Sequence, residues 1–275
     1  MAYQQKTVFI FSVIIFILNL LIYINSEYIF NMLLYNLSTD RYNLSLLNVG
    51  YAPLDLGNNC SLQYSKQLYS KILSLFKTNV TNPSKFNIVE TPCLNVNSGS
   101  HMINKFNVNK VICVTPIKTI KDFGVNNNSN DDKLEYILSE PTNINNLQIK
   151  NKTVDMVLTI ESSKLNYNFN KITSQMSKFV APKKYWVIAD MFDTQNVSNI
   201  KKTISSNKFN ILEVVNITHN IIDSLKCDSK RKEEFVINLP FVKEHMNNLY
   251  ITKESKTFKE LENNTKQYLI IICQR

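Results

Sequence analysis

Seven short apolar segments recur between residue 84 and the C-terminus, and helical or polar stretches separate most of them. Their bounds are Asn87–Thr91, Lys110–Val114, Leu134–Leu138, Val154–Ile160, Tyr185–Ala189, Asn210–Val215 and Tyr268–Cys273. Strands that alternate with helices form a mostly parallel sheet that helices cover on both faces. The last segment follows a long helical stretch, so we expect it to insert antiparallel beside the sixth. The predicted fold class is therefore α/β, with seven strands and with the first strand central.

A long apolar run, Thr7–Ile24, lies near the N-terminus, and only a serine and an asparagine interrupt it. Its length is near the minimum of about 17 residues for a spanning helix and exceeds the usual apolar core of a signal peptide. We expect an uncleaved, single-pass membrane anchor, although Asn25-Ser26 would permit cleavage and secretion. Lys6 precedes the run and Glu27 follows it, which favours a cytosolic N-terminus and a lumenal or extracellular body.

The 275 residues and the 44% apolar content support one large domain with an N-terminal extension. We divide the chain into residues 1–26, a membrane anchor or signal segment, residues 27–83, a helical cap, and residues 84–275, the α/β domain. Within the cap, Tyr28–Leu37 is typical of an interfacial helix on the bilayer. Cys60–Phe76 carries apolar residues at helical spacing, which predicts an amphipathic helix.

The net charge of +9 comes from lysines that are scattered along the sequence rather than gathered with aromatic residues into a basic face. We therefore expect no nucleic-acid partner. The five cysteines have no CxxC spacing, and Cys93, Cys113 and Cys273 lie in apolar surroundings typical of buried thiols. The sequence alone predicts neither a metal site nor a disulfide framework.

Four stretches carry a recognisable pattern. Ile88–Met102 reads IVETPCLNVNSGSHM and can be laid without gaps on a cofactor strand and loop of the form VLEVGCGRGGGASYI. Three more correspond, in the same order, to FDVVLNVESSHCYP, FLREVHRVLKPGGYFLFADF and DITPNVLRALELDSERR. They read VDMVLTIESSKLNY from Val154, ITSQMSKFVAPKKYWVIADMF from Ile172 and NITHNIIDSLKCDSKRK from Asn216. Upstream, LLNVGYAPLD echoes an NYGYW element.

By these motifs the chain resembles the class I S-adenosylmethionine-dependent methyltransferases, in particular the branch similar to the phthiotriol/phenolphthiocerol dimycocerosate methyltransferases. The resemblance runs roughly from Leu46 to the C-terminus. It implies a Rossmann-like sheet, S-adenosylmethionine as cofactor, and methyl transfer to a hydroxyl, amine or carbon of a lipid or other small apolar acceptor. The residues it assigns to the cofactor are Glu90, Cys93, Asn95, Ser100, Thr115 and Asn143. Those it assigns to the substrate side are Glu161, Ser162, Ser163 and Lys164.

The chain departs from this family mainly where the cofactor needs bare backbone. The family's loop glycines are replaced by Pro92, Leu94, Val96, Asn97 and Ser98, each of which adds a side chain or fixes φ. Thr115 stands where the family has the acid that binds the ribose hydroxyls. Asn143 and Lys164 stand where it has an aspartate on the adenine side and a histidine on the substrate side.

Two functions from different classes remain open at this point. One is an S-adenosylmethionine-dependent methyltransferase-like protein with weakened or lost cofactor binding, anchored to the membrane beside a lipid acceptor. The other is a catalytically inactive methyltransferase-fold protein that binds a lipid or a protein. The retained Glu161, Ser162, Ser163 and Asp190 fit both, because they also have a structural interpretation as groups that hydrogen-bond strand ends and orient loops.

Overall fold

The computed structural model describes residues 48–52, 63–127, 131–149, 153–237 and 243–275. The predicted membrane segment Thr7–Ile24 and the predicted interfacial helix Tyr28–Leu37 both lie outside these ranges. Among the residues that are described, no helix combines the length and the apolar character needed to cross a membrane.

Within these ranges, seven strands form one sheet in the order β3-β2-β1-β4-β5-β7-β6. They are β1 (Asn87–Glu90), β2 (Lys110–Thr115), β3 (Leu134–Leu138), β4 (Met156–Ile160), β5 (Tyr185–Asp193), β6 (Asn210–Asn216) and β7 (Lys266–Gln274). The first five are parallel, and β7 runs antiparallel between β5 and β6. The predicted sheet, its interior first strand and its antiparallel last strand are thus confirmed.

The largest difference from the predicted strands is at β5, which continues four residues beyond Ala189 to Asp193. The reason is its long antiparallel partner, because every residue from Tyr185 to Asp193 pairs with a residue of β7. This extension puts Asp190 inside the sheet with a paired neighbour, rather than in a loop at the end of the strand.

Helices cover both faces of the sheet, as predicted. They are α1 (Gln63–Asn79), α2 (Ser98–Phe106), α3 (Lys118–Asn127), α4 (Phe169–Phe179), α5 (Val197–Ser206), α6 (Thr218–Ile237), α7 (Lys243–Tyr250) and α8 (Lys256–Glu262). One core packs α1, α2, α6 and α8 on the side of Ile88, and the other packs α4 and α5 on the side of Val89. Neighbouring residues of β1 therefore face different cores, as the alternation of a strand requires.

The predicted amphipathic helix of the cap corresponds to α1, whose apolar side is fully buried. The buried residues are Leu68, Tyr69, Ile72, Leu73 and Phe76. They share one core with the first face of the sheet. The helix thereby carries a tyrosine hydroxyl to the carboxyl ends of the parallel strands, where open α/β sheets bind their ligands.

Candidate functional site

The loop that follows β1 is held against the neighbouring strand. The backbone N–H of Cys93 donates to the carbonyl of Val114 at 2.8 Å, and the N–H of Thr91 donates to the carbonyl of Leu158 at 2.8 Å. The loop therefore lies across the carboxyl ends of β1, β2 and β4. The strand order reverses at this point, between β1 and β4, and α/β sheets place their ligand crevice at such a reversal.

The carboxylate of Glu90 accepts a hydrogen bond on each of its oxygens from the protein itself. The hydroxyl of Tyr69 donates to Oε1 at 2.7 Å, and the hydroxyl of Ser98 donates to Oε2 at 2.5 Å. The amide of Asn95 donates to the same Tyr69 oxygen at 2.7 Å. All four side chains are buried, with at most 2% of each exposed. The structure therefore brings Glu90 and Asn95 together, because both bond to the hydroxyl of Tyr69.

Burial controls the charge of this cluster. It raises the pKa of Glu90 to about 7, although the hydrogen bonds from Ser98 and Tyr69 act in the opposite direction. Burial and the nearby Glu90 together raise the pKa of Tyr69 well above its ordinary value. The carboxylate is thus close to half protonated at neutral pH, and Tyr69 stays a neutral donor.

Four of the five side chains that replace the family's loop glycines are buried, and Asn97 is half-buried. Leu94 and Val96 are buried, and the carbonyl of Val96 accepts a hydrogen bond from the hydroxyl of Tyr136. The one glycine of this stretch, Gly99, has a different reason to be small. A Cβ built there would lie 2.3 Å from Cδ1 of Leu134, so Gly99 lets α2 pack against β3.

The remaining cofactor candidates are more dispersed. Thr115 ends β2 and is buried, and its hydroxyl accepts the N–H of Ile117 at 3.2 Å, so it closes a turn. Ser100 is half-buried on α2. Asn143 is exposed in the 3-10 helix Pro141–Asn146. The hydrogen bonds around Glu90 involve none of these three side chains.

The substrate-side candidates follow β4 and form a second buried polar region. Glu161 has a left-handed backbone with φ of +52°, which turns the chain directly into the 3-10 helix Ser162–Leu165. Its carboxylate forms an ion pair with Lys164 at 2.6 Å, and both side chains are almost fully buried. Oε1 of Glu161 also accepts hydrogen bonds from the N–H of Val49 at 2.8 Å and from the hydroxyl of Tyr268 at 3.3 Å.

The two serines of this region bond to Asp190 on β5. Ser162 Oγ donates to Oδ2 of Asp190 at 2.8 Å, the N–H of Ser163 donates to the same oxygen at 3.0 Å, and Ser163 Oγ donates to Oδ1. The N–H of Met191 adds a fourth donor to Oδ1 at 2.8 Å. Burial raises the pKa of Asp190, and the serine hydroxyls oppose that rise. These residues therefore hydrogen-bond the ends of two strands to each other, as their structural interpretation requires.

A short N-terminal segment, residues 48–52, lies over this second region. Besides the bond from Val49 to Glu161, the carbonyl of Val49 accepts the hydroxyl of Ser224 at 2.9 Å. The N–H of Ala52 donates to the carbonyl of Asn220 at 3.2 Å, and the Asn220 amide donates back to Ala52 at 2.8 Å. The segment is thereby held to α6 on one side and to the end of β4 on the other.

The sequence prediction missed three groups that complete these two regions. Tyr69 and Tyr268 lie within apolar patterns that predict only core positions, so their hydroxyls gave no separate signal. Cys113 was predicted as a packed thiol, and it is buried as expected, but it lies beside Cys93 and Glu90.

Outside the two regions, Cys227 is disulfide-bonded, which the cysteine spacing did not predict.

No family model and no curated protein matches this sequence. Solved structures do match. Geranyl diphosphate C-methyltransferase from Streptomyces coelicolor A3(2), in complex with Mg²⁺, geranyl diphosphate and S-adenosyl-L-homocysteine, is 13% identical with a TM-score of 0.62, over 90% of this chain and 97% of that one. The cyclopropane synthase MmaA2 from Mycobacterium tuberculosis is 13% identical with a TM-score of 0.64, over 88% and 95%. This chain has the class I methyltransferase fold.

The methyltransferase fold does not by itself fix a reaction. The [4+2]-cyclase SpnF is also similar, at 7% identity and a TM-score of 0.66 over 88% of this chain and 93% of that one. At such identities the likeness establishes the fold alone. The likeness to the phthiotriol branch, seen in the motifs, stays a prediction.

Proposed function

We propose that this chain is an S-adenosylmethionine-dependent methyltransferase-like protein that has lost most of its affinity for the cofactor and now serves as a binding module for a lipid or other small apolar molecule. The observation that carries the proposal is the state of Glu90. Both of its oxygens accept hydrogen bonds from Tyr69 and Ser98, two side chains of the protein itself. The residues present do not fit the cofactor in the usual manner.

The loop supports this proposal on energetic grounds. In an ordinary enzyme of this fold, the bare loop backbone and the acid after the second strand fix the amino acid and the ribose of the cofactor. Here Leu94 and Val96 fill the loop, and Thr115 replaces the acid. Each lost hydrogen bond to a charged group costs about 1.5 to 3 kcal/mol. Two such losses weaken binding by roughly 10² to 10⁴.

The nature of the bound molecule is inferred from the similar structures and from the apolar run near the N-terminus. Two of the similar structures are a geranyl diphosphate C-methyltransferase and a cyclopropane synthase. The apolar run Thr7–Ile24 would hold the body at a membrane, where a lipid is the nearest apolar ligand. Since the region around Glu161 and Asp190 keeps the family's motif residues, it is the part of the crevice that would face this ligand.

The second candidate function is an active methyltransferase that holds its cofactor in an unusual way. Retention of the family's motif residues Glu161, Ser162, Ser163 and Asp190 at the carboxyl ends of β4 and β5 favours it, although their mutual hydrogen bonds also serve the fold. In that case S-adenosylmethionine would displace Tyr69 or Ser98 from Glu90 on binding.

The test restores three of the family's glycines to the loop. Pro92→Gly, Leu94→Gly and Ser98→Gly together remove three side chains and free one oxygen of Glu90. We expect this variant to bind S-adenosylmethionine at least about tenfold more tightly than the unaltered protein in calorimetry, since every 1.4 kcal/mol is tenfold. Adding Thr115→Asp should raise the affinity again.

Ser177→Gly is the matched control for this test. Its hydroxyl donates to the carbonyl of Ser174 on α4, outside the loop, so the change should leave the affinity where it was. If the loop variant keeps its circular dichroism spectrum and binds no more tightly than the control, the loop side chains are not what weakens binding.

We propose that the protein is a single-pass membrane protein with its α/β body lumenal or extracellular, held through residues 1–26, or secreted if that segment is cleaved. The support is the length of the Thr7–Ile24 run and the charges beside it. Protease treatment of intact microsomes tests the orientation, and alkaline extraction tests the anchoring. Digestion of the body in unpermeabilised vesicles would place it in the cytosol and contradict the proposal.

A further inference from the structure

Three side chains able to bind a metal meet beside the cofactor loop. They are Glu90, the last residue of β1, Cys93 in the loop, and Cys113 on β2. One ligand atom from each lies within 4.8 Å of the other two, and all three side chains are fully buried. Cys93 and Cys113 are both free thiols. The proximity follows neither from the sequence spacing nor from the likeness to methyltransferases.

The backbone holds these ligands in place. Glu90 and Cys113 are direct partners in the parallel pairing of β1 with β2, so their side chains leave the sheet on the same face. Cys93 is fixed next to them, because its N–H donates to the carbonyl of Val114. The three groups are therefore already oriented before a cation binds.

The donors on Glu90 are compatible with metal binding. A carboxylate oxygen has two lone pairs, and Tyr69 and Ser98 take up one on each oxygen. The Cys93 thiol also hydrogen-bonds to Glu90, and a cation would take the place of that thiol proton. The two hydroxyls would then act as the outer hydrogen bonds that orient a metal-binding carboxylate.

We propose that Glu90, Cys93 and Cys113 bind a divalent cation of the zinc type. Two thiolates with one carboxylate suit zinc, which takes sulfur and oxygen ligands in tetrahedral sites, and they suit magnesium or calcium poorly. Binding releases to solvent the two thiol protons and the proton that Glu90 partly holds at neutral pH, as two metal–sulfur bonds and one metal–oxygen bond form, and no oxidant or reductant is required. The cation would join β1, β2 and the loop, and would close the crevice structurally.

The chain contains a natural control for this proposal. Cys273 is also a free and fully buried thiol, but it packs in the core on the other face of the sheet. If buried cysteines in this protein were only small apolar side chains, Cys93, Cys113 and Cys273 would behave alike towards a metal.

The experiment uses Co²⁺ as the probe, because its spectrum reports thiolate ligands and tetrahedral geometry. The full chain is stripped with a chelator under inert gas, without a thiol reductant that would attack the disulfide at Cys227. Co²⁺ is then titrated in. We expect a saturable thiolate-to-cobalt absorption band that Zn²⁺ displaces and Mg²⁺ does not. A folded protein without this band overturns the proposal, whatever the variants do.

The variants assign the ligands. Cys93→Ser and Cys113→Ser should each lose most of the band and at least about tenfold in affinity, the lower limit for loss of an outer-shell partner. Cys273→Ser should keep both, and all variants should keep the far-ultraviolet spectrum of the parent. Equal losses in Cys273→Ser, or a Cys93–Cys113 disulfide in the purified protein by mass spectrometry, would overturn the assignment. None of these readouts depends on whether S-adenosylmethionine binds.

Discussion

Two buried carboxylates lie at the carboxyl ends of the parallel strands, and they differ in where their hydrogen-bond donors come from. Asp190 is bonded by Ser162 and Ser163, which belong to a stretch that keeps the pattern of the resembling family. Glu90 is bonded by Ser98, which replaces a family glycine, and by Tyr69 from the N-terminal helix. The departure from the family is therefore concentrated at the β1–β2 half of the crevice. The β4–β5 half keeps Glu161, Ser162, Ser163 and Asp190 and departs at Lys164, which stands in place of a histidine.

The largest effect that we expect on stability lies in the β4–β5 half. Lys164→Met removes one partner of an ion pair whose side chains are only 5% and 1% exposed. Loss of one partner from a buried pair costs about 3 to 5 kcal/mol, because the other charge is left uncompensated. Urea unfolding followed by circular dichroism measures this loss.

The control for Lys164→Met is the exposed pair of Lys118 with Asp122, which has the i,i+4 spacing of a surface helix pair. Lys118→Met should change the free energy of unfolding by less than about 1 kcal/mol. If the two variants lose the same free energy of unfolding, water reaches the pair of Lys164 with Glu161, and that pair is not buried.

The next effect concerns the β1–β2 half and depends on pH. The folded pKa of Glu90 is about 7 against an ordinary value of 4.5, so between these values the native state holds a proton that the unfolded state has released. Stability should therefore fall as the pH rises from about 4.5 to about 7, by about 3 kcal/mol at 1.36 kcal/mol per pKa unit. Urea unfolding of the chelator-treated protein at several pH values measures the slope, because a cation bound to Glu90 would displace its proton.

Glu90→Gln tests the origin of that slope, because a glutamine has no proton to lose. The variant should retain only the smaller decline due to other raised groups such as Asp190. Glu135→Gln, at an exposed position on β3 where the carboxylate pairs with Lys110, controls for the change from glutamate to glutamine and should keep most of the parental slope. A parental slope that survives in Glu90→Gln would show that water reaches the carboxylate.

The sequence predicted the sheet well because its signal is local. Each strand is a short apolar run, and even the antiparallel position of the last strand followed from the long helical stretch before it. The family motif also grouped Glu161, Ser162 and Ser163, which are consecutive in the sequence, and their substrate-side role stays a prediction. The β1–β2 half was predicted only in part, since Tyr69 and Cys113 reach Glu90 through packing between separate elements, which no local pattern encodes.

The smallest effect concerns the segment 48–52 that lies over the β4–β5 half. Gly50 has φ of +75°, and a Cβ there would lie 2.4 Å from the hydroxyl oxygen of Ser224. Gly50→Ala should therefore cost about 1 to 2 kcal/mol for the left-handed backbone, and more for the clash. In a Ser224→Ala background the shortest of these contacts is removed, and the 3.0 Å approach to Cβ of Tyr64 is left, so the added cost should shrink. Equal costs in both backgrounds would mean that the segment moves away from α6.

The most direct test of the account is a calorimetric titration of the unaltered protein with S-adenosylmethionine. With both Glu90 oxygens bonded to Tyr69 and Ser98, and with Thr115 in place of an acid, we expect weak binding or none, roughly 10² to 10⁴ below an ordinary enzyme of this fold. Micromolar binding would contradict the proposed loss of affinity for S-adenosylmethionine. It would also return Glu161, Ser162 and Ser163 to consideration as an active acceptor site.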